Sequence, residues 1–150
     1  ADWGPVYIGP LCNLHDQVSI HEKPYEPTGP GPGRFAVYLE GAVSVLHGSR
    51  VHGPCRVGAN TFIGQMVNLF DAEVGPNCVI HHGALLTGGV KIPAGRYVRP
   101  GQVVDTQEAA DRLPAVPADL ATLNEWTVQN YRDLTRGYRA LQRGCVRPYP

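Results

Sequence analysis

Charged residues are scarce in this 150-residue chain: Asp, Glu, Lys and Arg make up 17%, against roughly 25% in an ordinary globular domain. An excess of one sign is missing altogether, because 13 basic side chains balance 13 acidic ones. That balance argues against the broad electrostatic footprint of a nucleic-acid or anionic-membrane binder. Long hydrophobic runs are missing too. The longest, Phe35–Leu39, has five residues, far short of the ~20 that cross a bilayer, so no membrane span is expected. Residues 1–5 carry neither a basic n-region nor an apolar h-region. No signal peptide is therefore expected there, and a cytoplasmic location is favoured. The four cysteines, Cys12, Cys55, Cys78 and Cys145, form no Cys-x-x-Cys, which removes cysteine-type zinc and redox motifs.

Glycine and proline are what the chain has in excess. With 18 and 14 residues they make up about a fifth of it, against roughly 12% on average. So many breakers exclude a mostly helical fold or a long coiled coil. A hydrophobic share of 43% is too high for a disordered Pro/Gly-rich chain. An ordered, frequently turning fold remains, and its length suits one domain.

The turns come on a beat of six. Ile8, Leu14 and Ile20 are six apart, as are Leu39, Val45, Val51, Val57, Ile63 and Leu69. A third series, Val74, Ile80, Leu86, Ile92, Val98 and Val104, runs one residue out of step. Four residues after these aliphatics stand small or β-branched side chains: Cys12, Val18, Val43, Ser49, Cys55, Thr61, Val67, Cys78, Ala84 and Val90. This double register is the hexapeptide repeat of a left-handed parallel β-helix. Each six residues supply one flat face and one tight corner, and three faces close a triangular coil. Large aliphatics fill the interior, and Gly or Asn is expected at the strained corners. Cys12, Cys55 and Cys78 then read as small buried hydrophobes.

The domain expectation is an all-β coil over residues 1–105 with a C-terminal helical segment, 106–150, packed on it. A Pro/Gly loop interrupts the coil at 22–36, and no helix or strand is expected from His21 to Arg34. A second interruption, between Leu69 and Val74, shortens one corner by one residue. Thr106–Arg112 reads as a helical turn, broken by Pro114 and Pro117. Asp119–Gln142 reads as a helix whose apolar stripe is Tyr131, Leu134, Tyr138 and Leu141, with Gly144 as its stop.

Six histidines can be placed on this frame. His21 and His52 each follow an interior aliphatic and so point outward. Val51 should stack on Ile20 one coil further on, which puts the two imidazoles on one outer face about 4.8 Å apart in backbone. Side chains at that spacing can converge on one metal. His47 lies near a different corner and should reach such a metal only on a neighbouring subunit. That geometry needs a closed ring, and a triangular prism suggests three subunits. His81 and His82 belong to a later coil and are expected mainly as surface residues.

The stretch Val45-Leu-His47-Gly-Ser-Arg-Val-His52-Gly-Pro-Cys-Arg-Val-Gly58, followed by Asn60-Thr-Phe-Ile-Gly64, resembles the signature of the γ-class carbonic anhydrases. Tyr7-Ile-Gly9 with Asn13-Leu-His-Asp16-Gln-Val-Ser-Ile-His21 resembles the family's first zinc-ligand strand, and Ile92–Val98 and Ala109–Pro114 its end. The resemblance implies a homotrimer binding zinc (or iron or cobalt) between subunits. His21 and His52 would come from one chain and His47 from the next. The implied reaction is reversible hydration of CO2 to bicarbonate and a proton by a metal-bound hydroxide. A catalytically weak or inactive scaffold of the same build is the alternative. A hexapeptide acyltransferase is a third reading, which would need one catalytic histidine rather than three.

By the same resemblance, proton-carrying roles fall at Asp2, or Trp3 with a gap, and in the loop near Pro24, where Glu22 or Glu26 substitutes. His15 stands where the family has a glutamine, beside the matching Asn13 and Asp16. It is expected to hydrogen-bond near the metal or to carry protons. Tyr131 occupies the position of a family asparagine.

Overall fold

The computed structural model describes residues 4–22 and 31–145. The beat of six becomes three flat faces. On one, Ile8 stacks on Leu39, then Val57, Val74 and Ile92. On the second, Leu14, Val45, Ile63, Ile80 and Val98 follow one another. On the third, Ile20, Val51, Leu69, Leu86 and Val104 do so. All these strand pairings are parallel, as left-handed coils of hexapeptides require.

The step between stacked aliphatics is 31 residues across the loop, as from Ile20 to Val51. It is 18 in most other coils, as from Val51 to Leu69. It falls to 17 where the sequence shortens, as from Ile63 to Ile80. Elsewhere the left-handed corner comes three residues after the aliphatic, at Leu11, Gln17, Ala42, Gly48, Asn60, Met66 and Asn77 among others. At the short corner it comes after two, at Asp71 with φ 54°. The expectation of Gly or Asn at corners is therefore only partly met. Closure of the coil fixes φ, and Leu11, Gln17, Ala42 and Met66 accept it. Glycine is required where coils touch: a Cβ on Gly58 would lie 2.4 Å from the Pro76 nitrogen of the next coil.

The interior is apolar and continuous from Val37 to Val104, with Leu39, Val45, Val51, Ile63, Leu69, Ile80 and Leu86 essentially inaccessible. Cys55 and Cys78 are buried as expected, whereas Cys12 is only partly buried. Buried hydroxyls bond to the adjacent coil: Ser49 donates to the Gly64 carbonyl at 2.7 Å, and Thr61 to that of Gly75 at 3.0 Å. The two ends of the coil differ. Helix α1 (Gln107–Asp111), N-capped by Thr106, seats Ala110 and Leu113 on the core near the last coil. At the other end Ile8 and Leu14, aliphatics of the repeat, are exposed by 45% and 39%.

Helix α2 (Leu123–Cys145) turns back along the coil. Asn124 anchors it, donating to the Ala42 carbonyl at 2.7 Å and to Asn60 Oδ1 at 2.9 Å. The helix begins later than the expected Asp119, because Ala118–Leu120 forms a separate 3-10 turn. It also passes through Gly144, which is not a stop. Its apolar stripe divides: Val128 is buried, but Leu134, Tyr138 and Leu141 face solvent.

The loop also begins differently from the expectation. His21 and Glu22 belong to the strand Ser19–Glu22, because Glu22 continues the parallel register opposite Gly53. Gly31–Arg34 forms a 3-10 turn.

Candidate metal centre

The parallel register that buries Val51 places His21 directly opposite His52. Side chains alternate along a strand, so interior neighbours force both rings outward. The ring centres are 5.1 Å apart with planes tilted by 30°. One coil on, Phe70 lies opposite His52 and stacks on it at 4.6 Å and 27°. Phe70 was legible but overlooked: it stands one 18-residue step after His52. The Gly53 carbonyl oxygen lies 3.1 Å from His52 Nδ1. A carbonyl only accepts, so Nδ1 carries the hydrogen and Nε2 keeps its lone pair for a metal. Together with Arg50, Asn68 and Leu69, these residues line an open groove of about 540 Å³.

His47 sits at the adjacent corner with a half-exposed side chain, its Nδ1 3.7 Å from the Asp16 carboxylate. His15, from the coil before, brings Nδ1 to 3.2 Å from His47 Nε2. Asn13 Oδ1 lies 3.1 Å from His15 Nε2, and the Tyr131 hydroxyl 3.3 Å from His15 Nδ1. Burial and the adjacent His47 hold the His15 imidazole below its usual pKa, and Asp16 opposes them. Beside this corner runs a second groove, about 560 Å³, walled by Leu46, Phe62, Trp126 and Leu134. Trp126 is 66% exposed there.

The structure thus unites His21 with His52 and sets His47 apart with His15. Among the described residues, no group of three His, Cys, Asp or Glu side chains gathers around one point within the chain. Glu22 is buried, and its carboxylate accepts the Gly4 N–H at 2.9 Å. Asp2, Trp3, Pro24 and Glu26 lie outside the described residues.

His81 and His82 are built differently. His81 Nδ1 accepts the His82 N–H at 2.9 Å, and His82 Nδ1 accepts the Gln65 N–H at 2.8 Å. Both δ-nitrogens are spent on backbone, which favours the surface reading over a second metal. Burial, then the adjacent His82, lowers the His81 pKa.

A family-implied metal fits the residues that are present. Outward imidazoles are donors for zinc, iron or cobalt, and the Cys55 and Cys78 thiols, which would favour other chemistry, are buried in the coil.

Fold and site define a left-handed β-helix of hexapeptide repeats carrying histidines on its outer surface. No protein-family model matches the chain. The carbonic anhydrase of Methanosarcina thermophila is 38% identical over 147 residues, which cover 90% of this chain and 59% of that protein. The carboxysome assembly protein CcmM of Nostoc sp. is 33% identical over 151 residues, covering 99% of this chain and 27% of that protein. CcmM of Synechococcus elongatus is 36% identical over 118 residues, 77% of this chain and 22% of that one. A hexapeptide transferase family protein from Anaplasma phagocytophilum shares the fold, with a TM-score of 0.68 at 18% identity over 89% of this chain and 69% of that one. The chain belongs to the γ-carbonic-anhydrase-like family and spans 59% or less of the length of these three sequence relatives.

Proposed function

We propose that three copies of this chain hold a divalent metal, zinc or else iron or cobalt, at each subunit boundary, and that the assembly catalyses reversible hydration of CO2 to bicarbonate and a proton. The observation that carries this reading is the in-register pair His21 and His52, with ring centres 5.1 Å apart on the outer face. His47 of a neighbouring copy completes the set. Each chain offers one two-histidine face and one single-histidine corner, a head-to-tail match that closes into a ring.

When bound, the metal supplies Lewis-acid activation of water near neutral pH, the nucleophile that CO2 requires. The chain's own residues prepare that chemistry. Three neutral imidazoles bind without cancelling the cation's charge. The Gly53 carbonyl fixes the His52 tautomer, and Asp16 faces His47 Nδ1. Phe70 walls one side of His52. Proton carriage is assigned to Asp2, His15 and Glu22. Of these, His15 stands beside His47, and Glu22 is next to His21 in sequence.

The Nostoc and Synechococcus relatives, named as carboxysome assembly proteins, favour a second reading: a trimer of the same build that serves assembly with little turnover. Metal analysis and CO2-hydration kinetics on the native protein and on His52→Ala separate the two. One metal per chain, with activity abolished by the substitution, supports the enzyme. Metal without hydration supports the scaffold. Absence of metal from the native protein refutes the shared centre.

A further inference from the structure

We infer that His15 is a fourth protein donor at the shared metal centre, through Nδ1; this rests on the proposed subunit-boundary site. Its Nδ1 lies 3.2 Å from Nε2 of His47. Two nitrogens on one zinc, each ~2.0–2.1 Å from it at a tetrahedral angle, stand about 3.4 Å apart. A plain hydrogen bond would also bring two nitrogens close, so the position of the hydrogens decides.

Asn13 fixes them on His15. Its Nδ2 donates to Ser44 Oγ at 2.9 Å, which orients the amide and leaves Oδ1, a pure acceptor, 3.1 Å from His15 Nε2. Nε2 therefore carries the hydrogen, and Nδ1 of the neutral ring presents a lone pair. The Tyr131 hydroxyl lies 3.3 Å from the same atom. On His47, a metal bound through Nε2, as the proposed centre requires, puts the hydrogen on Nδ1, the side 3.7 Å from the Asp16 carboxylate. In that tautomer the two lone pairs share the 3.2 Å gap. A cation between them satisfies both, and a metal held by His47 is in reach of His15.

The consequence falls on the open coordination position. Catalytic three-histidine zinc keeps one position for water. A fourth imidazole competes for it, so His15 strengthens metal retention and slows hydration. A glutamine at position 15, the residue type the family resemblance expects, removes the competitor.

The test compares the native trimer with His15→Gln and His15→Ala, each loaded with cobalt(II) or zinc. Both variants should keep one metal per chain but release it to a chelator at least about tenfold faster. Their cobalt absorption should change, azide should perturb it where the native spectrum resists, and hydration should quicken. Imidazole added to His15→Ala should restore slow release. Release rates and cobalt spectra equal to native overturn the inference. So does slower hydration at unchanged metal retention, which would leave His15 with the proton-carrying role alone. A native protein without metal, or His52→Ala holding as much metal as native, brings down the shared site itself and the inference with it.

Discussion

Two histidine pairs on one β-helix have opposite construction. His21 and His52 come from neighbouring coils, and His52 spends Nδ1 on its neighbour's carbonyl, which leaves Nε2 for a metal. His81 and His82 are adjacent in sequence, and both use Nδ1 to accept backbone N–H groups. In the neutral rings the hydrogen of the second pair must then sit on Nε2, where a metal would have to bind. The difference teaches that outward placement on a β-helix does not make a ligand. The backbone partner of the other ring nitrogen decides.

Substitutions should therefore separate the pairs. His52→Ala should remove the metal and reduce CO2 hydration at least about 100-fold, read by metal analysis and initial rates. Chelation should come next in size. If the metal joins subunits, its removal should lower the thermal midpoint and shift sedimentation toward smaller species. Replacement of His81 and His82 by Ala should leave metal content and hydration rate as they are.

A smaller effect concerns the interior that holds the first pair in register. Burial pushes the Cys55 thiol up to about 11. A raised folded-state value means full stability below the unfolded thiol's pKa and progressive loss as pH rises toward about 11. Cys55→Ala should flatten that decline, worth about 2–3 kcal/mol at most, in denaturant titrations between about pH 8.5 and 11. The native Cys55 should also resist thiol reagents at pH 8. The smallest effect belongs to the second pair: His82→Ala should cost about 1 kcal/mol, because the Gln65 N–H loses its acceptor.

The sequence made the coil legible because every interior aliphatic sits on one beat, so His21 and His52 could be paired by counting alone. The one-residue shortening was equally readable, although its corner at Asp71 was not. Corner identity was poorly legible, because Leu11, Gln17, Ala42 and Met66 accept a conformation that closure imposes. The strand character of Glu22 was hidden by the prolines and glycines after it, while its register is set by Gly53 in another coil. The meeting of Tyr131 with His15 joins residues 116 apart and depends on where α2 lands. No local pattern encodes that landing. It follows from Asn124, which pins the helix start to two corners.

The central claim is that His21 and His52 of one chain share a metal with His47 of the next, and complementation between variants tests it most directly. His47→Ala retains the two-histidine face, and His52→Ala retains the corner. Neither variant alone should hold metal. After the two are unfolded together, refolded and supplied with zinc, each mixed trimer should regain roughly one complete site, because a face meets a corner of the other variant once around the ring. Failure of the mixture to bind metal, or full metal in either variant alone, would contradict a centre shared between subunits.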